Sequence, residues 1–208
     1  MQRRLGLTLL ACALLVAAFL TAVGRLTGGF AHWTFESLRR QQARNGLMHF
    51  PAMDLVDASG RPVHLPAGGN GRVTLVDFVY TSCESVCQSL GAEFFQAQQQ
   101  IQREASAVRL LSVSLDPVRD TPAALAGYGA RHRADAGIWT LAAPRTLDEG
   151  RLARRLLGVI AVDDGFGGFT HNGALHVIDP RGRVAGIFDT ADWQRALALA
   201  KQLEATRR

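Results

Sequence analysis

The sequence contains little cysteine: its 208 residues include only Cys12, Cys83 and Cys87. So few cysteines exclude a fold held together by several disulfides. Cys12 follows a Leu-Leu-Ala triplet that superficially resembles a lipoprotein cleavage site, but the apolar run continues past it. We therefore interpret Cys12 as a small hydrophobic residue of that run, which leaves Cys83 and Cys87 as an isolated pair.

The sequence also lacks long basic tracts, internal repeats and low-complexity segments. Its net charge is +5, and the interior basic pairs Arg39-Arg40 and Arg154-Arg155 are not interleaved with aromatic residues that would stack on bases. This composition argues against nucleic-acid binding. Hydrophobic residues make up 48% and charged residues 20%, as in packed soluble proteins. The length fits one globular domain of roughly 100 to 200 residues with an appendage.

Charge is absent from residues 5–23. As a helix this run would span roughly 28 Å, close to the thickness of the hydrocarbon core of a membrane. Arg3 and Arg4 precede it, and no small-x-small cleavage site closes it before Gly24. We predict an uncleaved signal anchor over 1–24 that crosses the membrane once, a basic juxtamembrane spacer over 25–49 and a globular domain over 50–208.

Alternating strand and helix patterns predict an α/β fold for the globular domain. A run of β-branched and aromatic residues at 73–80 is typical of a strand buried on both faces. Leu90, Phe94, Ala97 and Ile101 recur at helical spacing after Cys87. The other predicted elements are hairpins over 53–65 and 174–188, strands at 108–115, 138–141 and 159–162, helices at 121–132, 147–157 and 193–203, and a flexible loop over 163–173. Their order indicates a thioredoxin-like fold with a central mixed sheet flanked by helices.

Cys83 and Cys87 lie where the predicted strand at 73–80 passes into a helix. A separation of four places both sulfurs on one helical face within about 6 Å of each other. Backbone amides at a helix N-terminus favour the thiolate form. Soft thiolates select Cu(I), and an added imidazole makes such a site tolerable for Cu(II). The same pair also suits thiol–disulfide exchange, so these residues alone leave both chemistries open.

A third ligand has to come from elsewhere in the chain. Of the six histidines, only His171 lies in the predicted loop before the last hairpin, which in a thioredoxin-like sheet faces the cysteine-bearing turn. The residues alone allow His171 to be a ligand or a solvated loop residue. His176, inside a predicted strand, is assigned no role. A turn, a local ion pair and helix capping account for Asp116, Arg119 and Asp120.

Two segments resemble signatures of the SCO/SenC family of copper-binding cytochrome c oxidase assembly proteins. Residues 76–83, Val-Asp-Phe-Val-Tyr-Thr-Ser-Cys, with Cys87 resemble the family's strand and Cys-x-x-x-Cys motif. Residues 114–122, Ser-Leu-Asp-Pro-Val-Arg-Asp-Thr-Pro, resemble its second signature. The resemblance extends over residues 50–204 of the sequence. It implies that Cys83, Cys87 and His171 hold copper, as Cu(I) and also as Cu(II).

The resemblance implies a metallochaperone rather than an enzyme, which delivers copper to the binuclear copper centre of a respiratory cytochrome c oxidase during its assembly. The expected partners are the copper-bearing oxidase subunit, other copper chaperones or thiol reductants, and the membrane through the N-terminal helix. The expected location is a single-pass membrane protein with its domain on the periplasmic face of a bacterial inner membrane. The alternative is a membrane-anchored thiol–disulfide oxidoreductase that reduces a copper-site partner, with Cys83 attacking and Cys87 resolving.

The sequence departs from the family's usual pattern at three positions. Glu84 and Gln88 stand where a proline usually follows each cysteine, and Thr170 stands where an acidic residue usually precedes the histidine. A carboxylate at Glu84 would disfavour the ionised form of the adjacent thiols by like-charge repulsion. None of the three replaced residues is an expected ligand, so these departures bear on copper affinity and redox potential rather than on which residues bind the metal.

Overall fold

The computed structural model describes residues 2–29, 34–66, 69–83, 86–165 and 168–206, with the side chains of residues 2, 3 and 86–88 outside that description. The chain divides into two compact units, Met1–Gln41 and Gln42–Arg208. The first unit contains helix α1 (Gln2–Leu26) and most of helix α2 (Phe35–Arg44). The segment Arg4–Leu26 of α1 is long and apolar enough to cross a membrane.

The second unit contains a seven-stranded mixed sheet. The strands of the unit are β1 (Met53–Asp57), β2 (Pro62–Leu65), β3 (Thr74–Val79), β4 (Arg109–Ser114), β5 (Trp139–Pro144), β6 (Ala161–Asp163), β7 (Phe169–His171), β8 (Leu175–Ile178) and β9 (Val184–Phe188). The sheet has the order β2-β1-β5-β4-β3-β8-β9. β4 lies parallel to both β3 and β5, and the other neighbours are antiparallel. This arrangement confirms the predicted thioredoxin-like α/β fold.

The helices of the second unit begin and end where local signals place them. They are α3 (Val86–Arg103), α4 (Pro122–Arg131), α5 (Leu147–Leu157) and α6 (Trp193–Ala205). The hydroxyl of Thr121 accepts a hydrogen bond from the amide of Ala124 at the start of α4. Thr146 and Glu149 form a capping box at the start of α5, and Gly158 ends that helix in the left-handed conformation.

The core lies on both faces of the central strands. In β3 every residue from Leu75 to Val79 is buried, as the run of apolar residues predicts. The predicted helical stripe on α3, from Leu90 to Ile101, is also buried. Its Phe94 packs edge-on against Trp139 of β5, with ring centroids 5.4 Å apart. This packing holds the middle of α3 against the start of β5 on one face of the sheet.

The segment between α5 and β8 contains two strands: β6 overlaps the strand predicted at 159–162, and β7 lies within the predicted flexible loop over 163–173. β6 and β7 pair antiparallel to form a two-stranded ribbon that is separate from the main sheet. Residues 166 and 167 of its turn lie outside the described residues. The glycine-rich composition suggested a loose loop, but β-branched and aromatic residues such as Val162 and Phe169 favour pairing on either side of the turn. His171 is therefore the last residue of a paired strand.

Candidate metal centre

Cys83 ends a tight turn that follows β3. Its backbone amide donates a hydrogen bond to the carbonyl oxygen of Tyr80, with a length of 3.2 Å. The side chain is 5% exposed, so it lies below the surface of the domain rather than on it. A buried sulfur that is shielded from water is suited to bind a soft metal ion such as Cu(I).

The carboxylate of Asp120 fixes the turn that carries Cys83. One oxygen of Asp120 accepts hydrogen bonds from the amide and the hydroxyl of Thr81, at 3.0 and 2.6 Å. The other oxygen accepts a hydrogen bond from the hydroxyl of Ser114 at the end of β4. The side chain of Asp120 is buried, so these contacts are shielded from water. The sequence indicated a structural role for Asp120, and the structure assigns it to the cysteine-bearing turn.

Asp116 and Arg119 form the local ion pair that the sequence predicted. The backbone amide of Asp116 also donates a 2.9 Å hydrogen bond to the hydroxyl of Ser114. These contacts hold the loop between β4 and α4 in one conformation. The polar residues of segment 114–122 therefore support the site structurally, and no acid–base role is needed to explain them.

Cys87 lies in the first turn of α3, as the sequence predicted for the helix start. Its side chain is outside the described part of the structure, as are residues 84 and 85, so the predicted effect of Glu84 falls on undescribed residues. Among the side chains that the structure describes, no group of three His, Cys, Asp or Glu residues is arranged to hold a metal ion. Two of the three predicted ligands, Cys83 and His171, are described.

His171 has an imidazole with no hydrogen-bond partner. Both of its ring nitrogens are buried, and neither forms a hydrogen bond with a described residue. Burial lowers the pKa of His171 below its usual range, so the ring is neutral near neutral pH. A buried polar group without a partner is rare in native proteins. A neutral imidazole with an available nitrogen lone pair is the form that binds a metal ion, so this ring fits the proposed ligand role.

Tyr80 joins the cysteine-bearing turn to the ribbon that carries His171. Its hydroxyl donates a 3.2 Å hydrogen bond to the carbonyl oxygen of Phe169, and its ring meets that of Phe169 at 5.5 Å between centroids. The Tyr80 ring also lies edge-on to the ring of His171, at 6.4 Å. This role of Tyr80 was not predicted from the sequence. Its only signal was an aromatic residue at the end of the buried strand, a pattern that also fits simple core packing.

Asn172 fixes the position of His171 along the chain and was also missed. Its side-chain oxygen accepts a 2.6 Å hydrogen bond from the amide of Ile160, and its side-chain nitrogen donates to the carbonyl oxygen of Gly158 at 3.1 Å. The Asn172 amide donates to the Ile160 carbonyl oxygen. These contacts hold the residue after His171 to the end of α5. No sequence pattern distinguishes this asparagine from one in an exposed turn.

The other histidines occupy structural or surface positions. His176 is fully buried in β8 and packs edge-on against Phe78, which agrees with the absence of a predicted role. His132 stacks on Tyr128, and His64 pairs with Asp54 on the surface. His32 lies outside the described residues. Among the described histidines outside the core, His171 is therefore the one that contacts a residue of the cysteine-bearing turn.

The chain is similar to proteins of one known family. The model of the family described as SCO1/SenC matches residues 41–206. The SCO1 protein homolog of Bacillus subtilis (strain 168) is 26% identical over 117 residues, which cover 55% of this chain. That match spans 60% of the length of the curated relative.

Solved structures share the fold. BsSco, a member of the Sco family of cytochrome c oxidase assembly proteins in which a disulfide switch was identified, is similar with a TM-score of 0.67 and 20% identity, over 76% of this chain and 94% of its own. ScoI of Bradyrhizobium japonicum, solved with copper bound, is similar with a TM-score of 0.63 and 24% identity, over 75% of this chain and 99% of its own. At these identities the likeness establishes a common fold.

Proposed function

Because the chain belongs to the SCO1/SenC family, we propose that it binds copper through Cys83, Cys87 and His171 and delivers it to the binuclear copper centre of a respiratory cytochrome c oxidase. The observation that carries this proposal is the imidazole of His171, whose buried nitrogens have no hydrogen-bond partner among the described residues. Two thiolates and a neutral imidazole form a soft donor set that suits Cu(I) and tolerates Cu(II). Copper is the cargo of this protein, not a resident cofactor.

The fold supports transfer of copper by ligand exchange. The cysteine-bearing turn is fixed by Asp120, whereas His171 lies on the short ribbon β6–β7, which is separate from the main sheet. A ligand on a short two-stranded ribbon is easier to displace than one on a central strand, because two strands alone are only marginally stable. Thiolates of the acceptor would therefore replace His171 first and the cysteines later. The proposed partners are the copper-bearing oxidase subunit and the copper chaperones or thiol reductants that prepare the site.

The proposed anchor is α1, with residues 25–49 as the connection and the second unit on the periplasmic face of a bacterial inner membrane. The apolar segment Arg4–Leu26 is long enough to span the hydrocarbon core. This placement brings the copper site to the side of the membrane where cysteine pairs are exposed to oxidising conditions. It would also confine the protein to the same membrane as a respiratory oxidase.

Thiol–disulfide exchange with a copper-site partner is the second candidate function. It is favoured by the cysteine pair, since Cys87 lies in the first turn of α3, where a thiolate is stabilised. It is opposed by the 5% exposure of Cys83, because a thiol that attacks a partner's disulfide has to be accessible. Copper binding, in contrast, requires no access of a partner disulfide to Cys83, and we therefore prefer it as the function.

A copper titration of the full chain in detergent tests the proposal. The reduced protein is titrated with Cu(I) against a competing chelator, and the same titration is made with His171→Ala, with Cys83→Ser/Cys87→Ser and with the control His64→Ala, which removes an exposed histidine that pairs with Asp54. We expect tight binding of one copper, weakened by His171→Ala, abolished by the double cysteine variant and unchanged in His64→Ala. Negligible copper affinity combined with reactive thiols would instead support the oxidoreductase.

A further inference from the structure

Exposed apolar side chains cluster beside the ribbon that carries His171. In the described part of the unit Gln42–Arg208, seven large apolar side chains are exposed, and five of them lie between residues 147 and 162. Four of these form what we term the α5–β6 surface: Leu152, Leu156, Ile160 and Val162, which are 43–59% exposed. Single exposed apolar residues are normal, but a contiguous group commonly marks an interaction site.

The four residues are neighbours because of helix and strand geometry. Leu152 and Leu156 are one turn apart on α5 and lie on the same side of that helix. Ile160 and Val162 are two residues apart where the chain enters β6, so their side chains point to the same face. The short link through Gly158 and Val159 joins the two pairs. The α5–β6 surface therefore continues from the side of the helix onto the ribbon.

The ribbon presents His171 on one face and this surface on the other. In the β6–β7 pairing Ala161 is opposite His171, and Val162 is opposite Thr170. Alternate residues of a strand point to opposite faces, so Val162 and His171 lie on opposite faces of the ribbon. The His171 face packs against the ring of Tyr80. The face with Val162 is left to the solvent.

Asn172 makes the α5–β6 surface and His171 parts of one structural element. It hydrogen-bonds with Gly158 at the end of α5 and with Ile160 within the surface, and it directly follows His171 in the chain. A partner bound to this surface would thus hold Asn172, which is adjacent in the chain to the proposed copper ligand His171. Docking and the position of His171 are mechanically connected.

Arginines border the apolar residues. Arg151 and Arg155 are exposed, and Arg154 is half-buried between them along α5. Arg151 pairs with Asp148 at 3.2 Å, whereas no ion pair joins Arg155 to a described residue. A basic border attracts a partner with carboxylates at matching positions and steers its approach. The surface therefore has an aliphatic centre with a cationic edge along α5 and two exposed carboxylates, Asp163 and Asp164, at its ribbon end.

We propose that the α5–β6 surface is the docking site for the folded protein domain that receives copper from this chain, and that this domain presents an apolar patch bordered by carboxylates. The inference rests on the proposed copper-transfer function. A protein partner fits better than a membrane surface, because the exposed carboxylates of Asp163 and Asp164 beside Val162 would be repelled by anionic lipid headgroups. An apolar centre depleted of charge, with polar and charged residues at its rim, is typical of protein complexes.

The test uses the full chain in detergent, loaded with Cu(I), and the soluble copper-bearing domain of the oxidase subunit from the same cells. The variant Leu156→Glu/Val162→Glu places two carboxylates on the surface, and Leu47→Glu is the control, because Leu47 is exposed apolar but lies far away in the sequence. Binding of the two proteins and the rate of copper transfer are measured for each. Copper affinity and thermal unfolding are measured in parallel to confirm that the site and the fold are intact.

We expect at least a tenfold loss of binding and of transfer rate in the double variant, because charges introduced at an apolar interface centre disrupt it, with copper affinity unchanged. Arg155→Glu should slow association, and Leu47→Glu should behave as the unaltered protein. Binding and transfer by the double variant equal to those of the unaltered protein would overturn the docking inference. So would a double variant that binds its protein partner normally but no longer binds vesicles of anionic lipid, measured in parallel. Failure of the unaltered chain to bind Cu(I) would instead refute the proposed function. The failure of the docking inference can thus be distinguished from the failure of the proposed function.

Discussion

The carboxylate of Asp120 accepts hydrogen bonds from both the backbone amide and the hydroxyl of Thr81, across 39 positions of the sequence. Thr81 lies two residues before Cys83, so the loop after β4 determines the conformation of the turn after β3. Arg131 of α4 adds a third contact, since its guanidinium donates to the carbonyl oxygen of Thr81 at 3.3 Å. The two sequence signatures of the family thus meet in space through one buried carboxylate.

Replacing Asp120 should loosen this turn and weaken copper binding. Asp120→Ala leaves the Thr81 amide and the Ser114 hydroxyl without their acceptor, which costs about 2–4 kcal/mol of stability in a buried site. Because the turn positions Cys83, the Cu(I) affinity should fall as well. Denaturant unfolding and the copper titration measure the two effects. Asp148→Ala, which removes an exposed carboxylate at the start of α5, is the control. Unaltered stability in Asp120→Ala would show that the turn is held by other contacts.

A second buried carboxylate, Asp77, should make the protein less stable as the pH rises. Asp77 is fully buried in β3, and neither of its oxygens makes a well-formed hydrogen bond to a described residue. Burial raises its pKa to about 8; the Glu93 carboxylate adds to this rise and the Ser112 hydroxyl offsets part of it. In the folded protein Asp77 therefore keeps its proton well above the pH at which it ionises in the unfolded chain.

The sign of this effect follows from proton binding. Between about pH 4 and pH 8 the folded protein holds a proton that the unfolded chain has released, so the free energy of unfolding falls as the pH rises, by up to about 1.4 kcal/mol per pH unit. Asp77→Asn removes this dependence, and the variant should be more stable than the unaltered protein at pH 8 by about 2 kcal/mol or more. Denaturant unfolding at pH 5, 6.5 and 8 measures it, with Asp148→Asn as control. Parallel pH profiles for the unaltered protein and Asp77→Asn would contradict the assignment.

The sequence predicted most of the fold because strand and helix signals in this chain are local. The run at 73–80, the helical stripe after Cys87 and the Thr-Pro start of α4 each depend on neighbouring residues only, and the structure contains the elements they predict. β6 overlaps the strand predicted at 159–162, whereas β7 and its pairing with β6 were not predicted, because β7 has only three residues and follows a glycine-rich turn. Local composition gave no signal for this pairing.

The candidate site could be predicted only in part, for a related reason. Cys83 and Cys87 are close in sequence, so their spacing indicated a common site, and the family resemblance added His171. Tyr80 and Asn172 connect segments that are far apart, through a hydroxyl on a backbone carbonyl and an amide on a helix end. Such contacts depend on how helices and strands are placed relative to one another. No pattern in a single sequence indicates that placement.

Tyr80 provides the last test, because its hydroxyl and its ring have separable roles. Tyr80→Phe removes the hydroxyl and its hydrogen bond to the Phe169 carbonyl oxygen, which should cost about 1 kcal/mol and increase hydrogen exchange at β7 while the ring still contacts His171. Tyr80→Ala also removes the ring and leaves a cavity, so it should cost about 3–5 kcal/mol. The Cu(I) affinity should then be highest in the unaltered protein, lower in Tyr80→Phe and lowest in Tyr80→Ala. The first change releases the ribbon that carries His171, and the second also removes the ring against which His171 packs. Hydrogen exchange measured by mass spectrometry and the copper titration follow the two effects separately. Equal copper affinity in all three proteins, with β7 exchange increased, would show that the position of His171 does not depend on Tyr80.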